Sequence, residues 1–201
     1  SLRRSSAAGM ALVRRQPVEP APTRHGNQWL ENSASARSWI EIGPARGPRH
    51  TYTKTIRLDK LTTKFQEALG DAQSLALGND HAYIQPEHLL AAMLRQEDGP
   101  KSLLARAGVN VPGLAAAAEG AIKRLPSVQG QEQVQPSPDL IRLLQATEKE
   151  SIKRGDQFVP SELFLLALAD AKSDIGGIVR GHGLTRKALE GAIDAVRGGQ
   201  A

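Results

Sequence analysis

The sequence predicts an all-α protein: a single domain of about eight helices, made of two pseudo-repeated four-helix units and preceded by a disordered N-terminal segment. From Leu58 onward, apolar residues recur with the period of one helix face. Two phrases, "QPEHLLAAML" at 85–94 and "VPSELFLLAL" at 159–168, share a proline, a polar pair and an apolar run. No strand is expected in either unit.

The first 56 residues differ in composition from the rest of the chain. They are rich in Arg, Ser, Pro and Gly, with breaks such as "QPVEPAPTRHG", so we expect disorder. Both tryptophans lie here, in "NQWLE" and "RSWIEI". These phrases are either a partner-docking motif or isolated apolar residues, and the lack of a repeated spacing favours the second interpretation. The segment itself is interpreted as a tag, an upstream extension or a targeting segment.

Charge is distributed unevenly along the chain. Residues 1–56 carry nine of the 26 Lys and Arg residues and three of the 21 acidic ones, so the remainder has a net charge of −1. The basic isoelectric point therefore does not indicate a nucleic-acid partner for the helical part. The chain contains no cysteine and no apolar run long enough for a membrane span, which excludes disulfides, thiolate sites and a membrane-embedded protein.

The first helix is indicated by "LTTKFQEALGDAQSLAL", whose apolar residues fall on one face. Thr63 and Gln66 match a capping box, so this helix should begin near Thr62 or Thr63 and fray towards Gly78.

Three more helices complete repeat one, which spans about 58–125. Pro86 occupies a first-turn position ahead of "EHLLAAML". A short helix through "KSLLARA" stops at Gly108, and another runs from about Pro112 to Arg124.

A second set of four helices follows an exposed linker at 126–136 and gives repeat two, about 137–199. Ser137 and Pro138 begin a long helix that ends at Gly155. The remaining helices cover "SELFLLALAD", "DIGGIVRG" and "RKALEGAIDAVR".

The two repeats align when Pro86 is paired with Pro160, which brings Leu89 onto Leu163. A unit of about 65 residues has too little interior to be stable alone, so we expect the two to pack into one domain.

Catalytic and metal-binding patterns are not found. "GPKS" at 99–102 lacks the glycines of a phosphate loop, no GxSxG elbow occurs, and the five histidines lack metal-ligand spacing. We interpret His88, in the first turn of its helix, as an exposed or capping side chain. The carboxylates alternate with Lys and Arg on solvated faces. We therefore expect no enzymatic activity.

One helix is more apolar than a two-sided packing requires. "LFLLALA" at 163–169 is apolar on every side. It is either buried centrally between the repeats, or open near Leu163 as the floor of a groove for apolar peptide segments; the two interpretations are compatible.

Long stretches of the chain resemble one known family. They are "RLDKLTTKFQEALGDAQSLALGNDHAYIQPEHLLAAML", "AIKRLPSVQG", "VQPSPDLIRLL" and "KRGDQFVPSELFLLALAD". Residues 57–199 are similar to the N-terminal (Clp repeat) domain of the ClpB protein disaggregases, within the Clp/AAA+ chaperones. The resemblance implies a cytoplasmic, non-catalytic domain that binds unfolded or aggregated polypeptides and delivers them to an AAA+ ring for disaggregation.

The resemblance also implies a binding site when the family's positions are carried over. Leu144 in "LIRLL" and Leu163 in "SELF" would form an apolar floor. Thr62 in "KLTTK", Asp156 in "RGDQF" and Glu162 in "SELF" would form a polar rim.

Cofactors and partners follow from the same resemblance. The family's ATPase modules have no counterpart in this sequence, so no cofactor is expected here, and ATP and magnesium belong to those modules. The parent protein is expected to be hexameric and to act with the DnaK chaperone system, whereas the isolated domain should be monomeric. Docking of a folded adaptor protein is the alternative function, and neither nucleic acid nor a membrane is expected as a partner.

Overall fold

The computed structural model describes residues 57–130 and 133–198, and these form an all-α domain of eight α-helices. The prediction of fold class is confirmed. A short 3₁₀ helix, Leu58–Lys60, precedes them. The helices are α1 (Thr63–Gly78), α2 (Pro86–Arg95), α3 (Lys101–Arg106), α4 (Val111–Lys123), α5 (Pro138–Arg154), α6 (Ser161–Ala169), α7 (Asp174–Gly181) and α8 (Arg186–Gly198). The predictions for residues 1–56 lie outside the described residues.

The prediction that strands are absent was wrong. Two short strands, β1 (Tyr83–Ile84) and β2 (Gln135–Pro136), pair in parallel. A parallel bridge also joins Leu61 to Val159. Each segment is too short to carry an alternating pattern, and each lies just before a helix, where the backbone is already extended.

Local signals set the ends of α5 as predicted. The Ser137 hydroxyl accepts a hydrogen bond from the Leu140 N–H at 3.1 Å, and Pro138 is the first helical residue. Gly155 ends the helix with a φ of 75°, in the left-handed region that favours glycine.

Helix α1 begins where the sequence predicts, but a different interaction stabilises its first turn. Thr62 is the N-cap residue, and its side chain makes no capping bond. Instead, the Gln66 side-chain amide donates to the carbonyls of Leu58 and Leu61 at 3.1 and 2.9 Å. The glutamine thereby holds the 3₁₀ turn against the helix, and the predicted capping box is not formed.

The two repeats are joined by equivalent backbone hydrogen bonds. The Thr62 N–H donates to the Val159 carbonyl at 3.1 Å, and the Ser137 N–H donates to the Ile84 carbonyl at 2.9 Å. The N-cap of the first helix in each repeat therefore bonds to the chain just before the second helix of the other. Helix contacts follow the same exchange, with α3 packing on α8 and α4 on α7.

This exchange corrects the alignment of the repeats by one residue. Gln85 is the N-cap of α2, and Pro160 is the N-cap of α6. Pairing these two N-cap residues brings His88 onto Leu163. The two prolines are not equivalent, because Pro86 is the first helical residue of α2 whereas Pro160 precedes the first residue of α6.

One buried apolar core runs through both repeats, and α6 contributes many of its side chains. The rings of Phe65 on α1 and Phe164 on α6 lie 6.1 Å apart, tilted by 55°. Helix α6 packs against α5, α7 and α8, and most of its side chains are fully buried. The central burial of "LFLLALA" explains its apolar character.

Replacing Phe164 by alanine should destabilise both repeats together. We expect Phe164→Ala to lower the free energy of unfolding by about 3 to 5 kcal/mol, because it removes a buried ring from the interface between the units. Phe158→Ala is the matched control: the same ring is lost at an exposed site, and the change should stay within about 0.5 kcal/mol. Urea unfolding followed by far-UV circular dichroism measures both. Two separate transitions would contradict a shared core.

Candidate functional site

The five site residues predicted from the resemblance fall into two environments. Thr62, Asp156 and Glu162 are partly exposed. Leu163 is fully buried, and only 4% of Leu144 is exposed. The expected contact of these leucines with a peptide stays a prediction, and in this conformation their side chains are covered by the core.

The polar residues gather where the two repeats are joined. The Thr62 N–H bonds to the Val159 carbonyl, and the Val159 N–H bonds back to the Lys60 carbonyl at 2.7 Å. Glu162 follows in the first turn of α6. The start of α1 and the start of α6 are thus fixed side by side by the backbone.

An arginine from the last helix connects the other two rim residues. Arg197 donates to both carboxylate oxygens of Asp156, at 3.0 Å each, and lies 3.7 Å from Glu162. The bonds to Asp156 raise the pKa of Arg197 above its ordinary value. Two carboxylates share one guanidinium, which orients them and fixes the C-terminal part of α8.

Two large apolar side chains are exposed in the neighbouring stretch of chain, one near the end of α5 and one in the loop that follows it. Phe158 is 53% exposed and Ile152 is 70% exposed. We call the region formed by Thr62, Ile152, Asp156, Phe158, Glu162 and Arg197 the junction surface.

The loop after α5 positions Phe158. After the left-handed Gly155, the Asp156 N–H returns to the Ser151 carbonyl at 3.0 Å, and the Ser151 hydroxyl donates to the Phe158 carbonyl at 3.2 Å. Val159 is buried by its bridge to the first repeat, so the preceding residue faces outward. A fixed backbone therefore presents the exposed ring.

Sequence reasoning missed Phe158 and Ile152. The available signal was the position of Phe158, between a helix-stopping glycine and a residue that pairs as a strand. Recognising it requires the pairing of Val159 with Leu61, which joins residues 98 positions apart.

An ion-pair network centred on Glu150 and Arg186 connects three helices of repeat two. Glu150 on α5 accepts from Arg154 at 3.1 Å and from Arg186 at 2.9 Å. Arg186 also pairs with Asp170 at 2.6 Å and with Glu190 at 2.9 Å. Burial acts to raise the pKa of Glu150, but the hydrogen bonds from the two arginines outweigh it, so that pKa lies below its ordinary range. The network ties α5 and α8 to the end of α6.

A cavity of about 280 Å³ adjoins this network. Its lining is Ala146, Glu150, Ala167, Asp170, Ala171 and Arg186. The charged groups among these are already paired with one another, so the cavity offers no polar group that lacks a partner.

A buried histidine pair occupies the other repeat. The Gln85 N–H donates to His88 Nδ1 at 2.8 Å, so the neutral ring carries its proton on Nε2. That nitrogen lies 2.8 Å from His81 Nδ1, which accepts. His88 is therefore a capping residue, which is one of the two interpretations drawn from the sequence. The other interpretation, an exposed side chain, does not apply, because His88 is buried.

Burial disfavours the charged form of both rings. It lowers the pKa of His88 to about 4, with a further contribution from His81, and it lowers the pKa of His81 against the attraction of Asp80. The pKa of the adjacent Glu87 is raised by burial and by Asp139 and Asp174. The histidines therefore destabilise the fold on acidification, and Glu87 acts in the opposite sense.

Stability should fall between pH 7 and pH 5 because of the histidine pair. The unfolded His88 takes up a proton below about pH 6.5, while the folded one resists down to about pH 4, so the loss by pH 5 is about 2 kcal/mol. His88→Leu places there the residue type that repeat two has at Leu163, and it should flatten this dependence. Urea unfolding of both proteins across the pH range gives the difference between their free energies of unfolding. The contribution of Glu87 is present in both proteins and cancels in this difference. An equal pH dependence in the two proteins would refute the assignment.

Metal and membrane features are not found in the part of the chain that the structure describes. No group of three or more His, Asp or Glu side chains there could hold a metal ion. None of the described helices is long and apolar enough to span a bilayer.

Comparison with known proteins assigns the domain. The sequence model of the family described as the Clp repeat (R) N-terminal domain matches residues 60–182, more than half of the chain. This chain belongs to that family. It is 46% identical over 144 residues to the "Chaperone protein ClpB" of Dichelobacter nodosus, covering 71% of this chain and 17% of that protein. The chain thus spans about a sixth of the length of its curated relatives.

Solved structures agree with this assignment. The Hsp104 N-terminal domain from Candida albicans has a TM-score of 0.62 at 21% identity, with 69% of this chain and 92% of that chain covered, and shows the shared fold. A complex of the ClpV N-domain with a VipB peptide has a TM-score of 0.54 at 25% identity, covering 68% of this chain and 86% of that chain. This Clp N-terminal domain therefore shares its fold with the Hsp104 N-terminal domain and with a ClpV N-domain solved in complex with a peptide.

Proposed function

We propose that this Clp N-terminal domain binds extended segments of unfolded or aggregated polypeptides on the junction surface. The observation that carries the proposal is the exposure of Phe158 and Ile152 beside the paired carboxylates of Asp156 and Glu162. An apolar segment can cover the two side chains, and the rim can pair with polar groups of its backbone. The relatives named as ClpB chaperones and the ClpV complex with a peptide support this use of the fold.

Such a surface favours weak and sequence-tolerant binding. Covering each exposed apolar side chain is worth about 1.5 to 3 kcal/mol, and ordering a flexible peptide offsets part of this gain. We therefore expect affinities in the micromolar range or weaker. Weak capture suits a domain that must release its client to a downstream machine.

In its relatives, this domain is one part of a longer protein, and the steps after client binding belong to that longer protein. We propose that the captured segment passes to an AAA+ ring, where ATP and magnesium act, in a cytoplasmic hexamer that cooperates with the DnaK system during stress. This domain takes no cofactor under the proposal and is monomeric alone. Leu144 on α5 and Leu163 on α6 are buried in the core, and they would contact a client only if those helices separated.

Adaptor docking is the second candidate. The solved complex of the ClpV N-domain with a VipB peptide, which is 25% identical to this chain, pairs a related domain with a segment of one particular protein. The orientation of Asp156 by Arg197 favours recognition of a defined epitope. The two candidates differ in selectivity, because client capture tolerates unrelated sequences and adaptor docking does not.

Phe158→Ser should weaken binding of a permanently unfolded client by about tenfold or more, because the main exposed ring is lost. Ile152→Ser should act in the same direction. Fluorescence anisotropy of a dye-labelled client titrated with the intact chain measures the affinity.

The control is Tyr83→Ser, which removes an aromatic ring that is 50% exposed at the other junction between the repeats. It should leave the affinity unchanged. Equal weakening by Tyr83→Ser and Phe158→Ser would refute a specific surface. Binding of one folded partner, with no competition between unrelated clients, would favour adaptor docking.

A further inference from the structure

The last turn of α8 has no side chain in the core. Helix α8 buries Leu189, Ala192 and Ile193, whereas residues 194–198 are all exposed. A helix end that is not packed on its neighbours opens readily, because its backbone hydrogen bonds are accessible to water. The position of this turn therefore depends on its polar side chains.

An ion pair anchors this turn to the junction surface. Arg197 donates to both carboxylate oxygens of Asp156 at 3.0 Å each, across 41 positions of the chain. A second ion pair of the turn, between Asp194 and Arg154, is longer at 3.7 Å, and 71% of the Asp194 side chain is exposed. Water also reaches the first pair, since 37% of the Arg197 side chain and 22% of the Asp156 side chain are exposed, which limits its strength. The domain without a client should therefore hold the last turn for only part of the time.

Glu162 is arranged differently from Asp156. Its carboxylate lies 3.7 Å from Arg197, which is beyond hydrogen-bond distance, and it accepts no hydrogen bond from any residue that the structure describes. Glu162 is therefore the acceptor that is open to an N–H group of a client. A client can use it while Arg197 stays on Asp156.

Covering the surface makes the anchor more important. A client on Phe158 lies two residues from Asp156 and removes water from that carboxylate. An unpaired carboxylate is tolerated in water but is strongly disfavoured where water is excluded. The bound state therefore favours the arrangement in which Arg197 pairs with Asp156 and the last turn of α8 is formed.

We infer that client binding on the junction surface and ordering of the last turn of α8 are coupled through Arg197. The inference rests on the proposed function, because the client is the ligand that covers the surface. Such coupling is reciprocal, so the formed turn raises the affinity for the client by the same factor.

The coupling has a consequence for the longer relatives. The matched family is described as an N-terminal domain, and the relative from Dichelobacter nodosus is much longer than this domain, so its chain continues beyond the helix that corresponds to α8. In a protein of that kind, an occupied surface would fix the helix end that leads to the following part.

Amide hydrogen exchange of the intact chain, followed residue by residue by NMR, tests the coupling. The client is reduced and carboxymethylated lysozyme, a chain that stays unfolded. At saturation it should slow exchange of the Val196 and Arg197 amides by about fivefold or more, which is the lower end of usual coupling factors. The amide of Ile193, one turn earlier in the same helix, is held by the core and should not change.

Variants at Arg197 identify the connection. Arg197→Gln should abolish the effect of the client on these amides and, by reciprocity, weaken client binding by the same factor in the anisotropy titration. Arg197→Lys should restore part of both effects, because it keeps the charge but loses the bidentate bond. Arg95→Gln is the matched control: it removes a partly exposed pair with Glu119 elsewhere in the domain and should change neither measurement.

Affinity and exchange together separate failure of the coupling from failure of the proposed function. A client whose binding is weakened by Phe158→Ser, but which does not slow exchange at Val196, overturns the coupling alone. Faster exchange does the same, because the client then displaces Arg197, and so does slower exchange that persists in Arg197→Gln. A client whose affinity does not depend on Phe158 overturns the proposed function and the coupling with it.

Discussion

The exchange of backbone hydrogen bonds between the two repeats is the constraint on which the rest of this domain depends. Each repeat begins its first helix against the chain that leads into the second helix of the other. These bonds fix α1 beside α6 and α5 beside α2, so the apolar faces of both units close on one interior. A small four-helix unit could not bury such faces alone.

The exchange creates two similar junctions, and the side chains around them differ. At one junction, Phe158 is exposed beside a carboxylate pair oriented by Arg197. At the other, Tyr83 is exposed, but the chain beneath it is held by the buried His81–His88 pair. Position 88 corresponds to Leu163, so a polar capping residue in one repeat stands where the other has core packing. The junction at Tyr83 thus has a buried hydrogen bond between two histidines, whereas the junction at Phe158 has its polar groups on the surface.

Local features of this fold could be predicted from sequence, because their causes lie within a few residues. Ser137 and Gly155 bound α5 through bonds within a turn of the helix. The pairing of Leu61 with Val159 could not be predicted, because short extended segments before helices give no periodic signal. The same pairing makes Val159 face inward and Phe158 outward, so the exposure of the Phe158 ring could not be predicted either. Family resemblance names rim residues that are partly exposed in this structure, whereas the burial of Leu144 and Leu163 depends on how the repeats pack.

Stability and binding can be separated in this domain because they depend on different side chains. Phe158 is 53% exposed in the folded state, so burial of its ring contributes less to the free energy of folding than burial of a core ring does. A ligand that covers the ring gains most of that transfer energy on binding. Leu163 gives its energy to the core instead, and a change there alters the frame that positions Glu162. An affinity lost through Leu163 would therefore report on folding as much as on contact, whereas one lost through Phe158 reports mainly on contact.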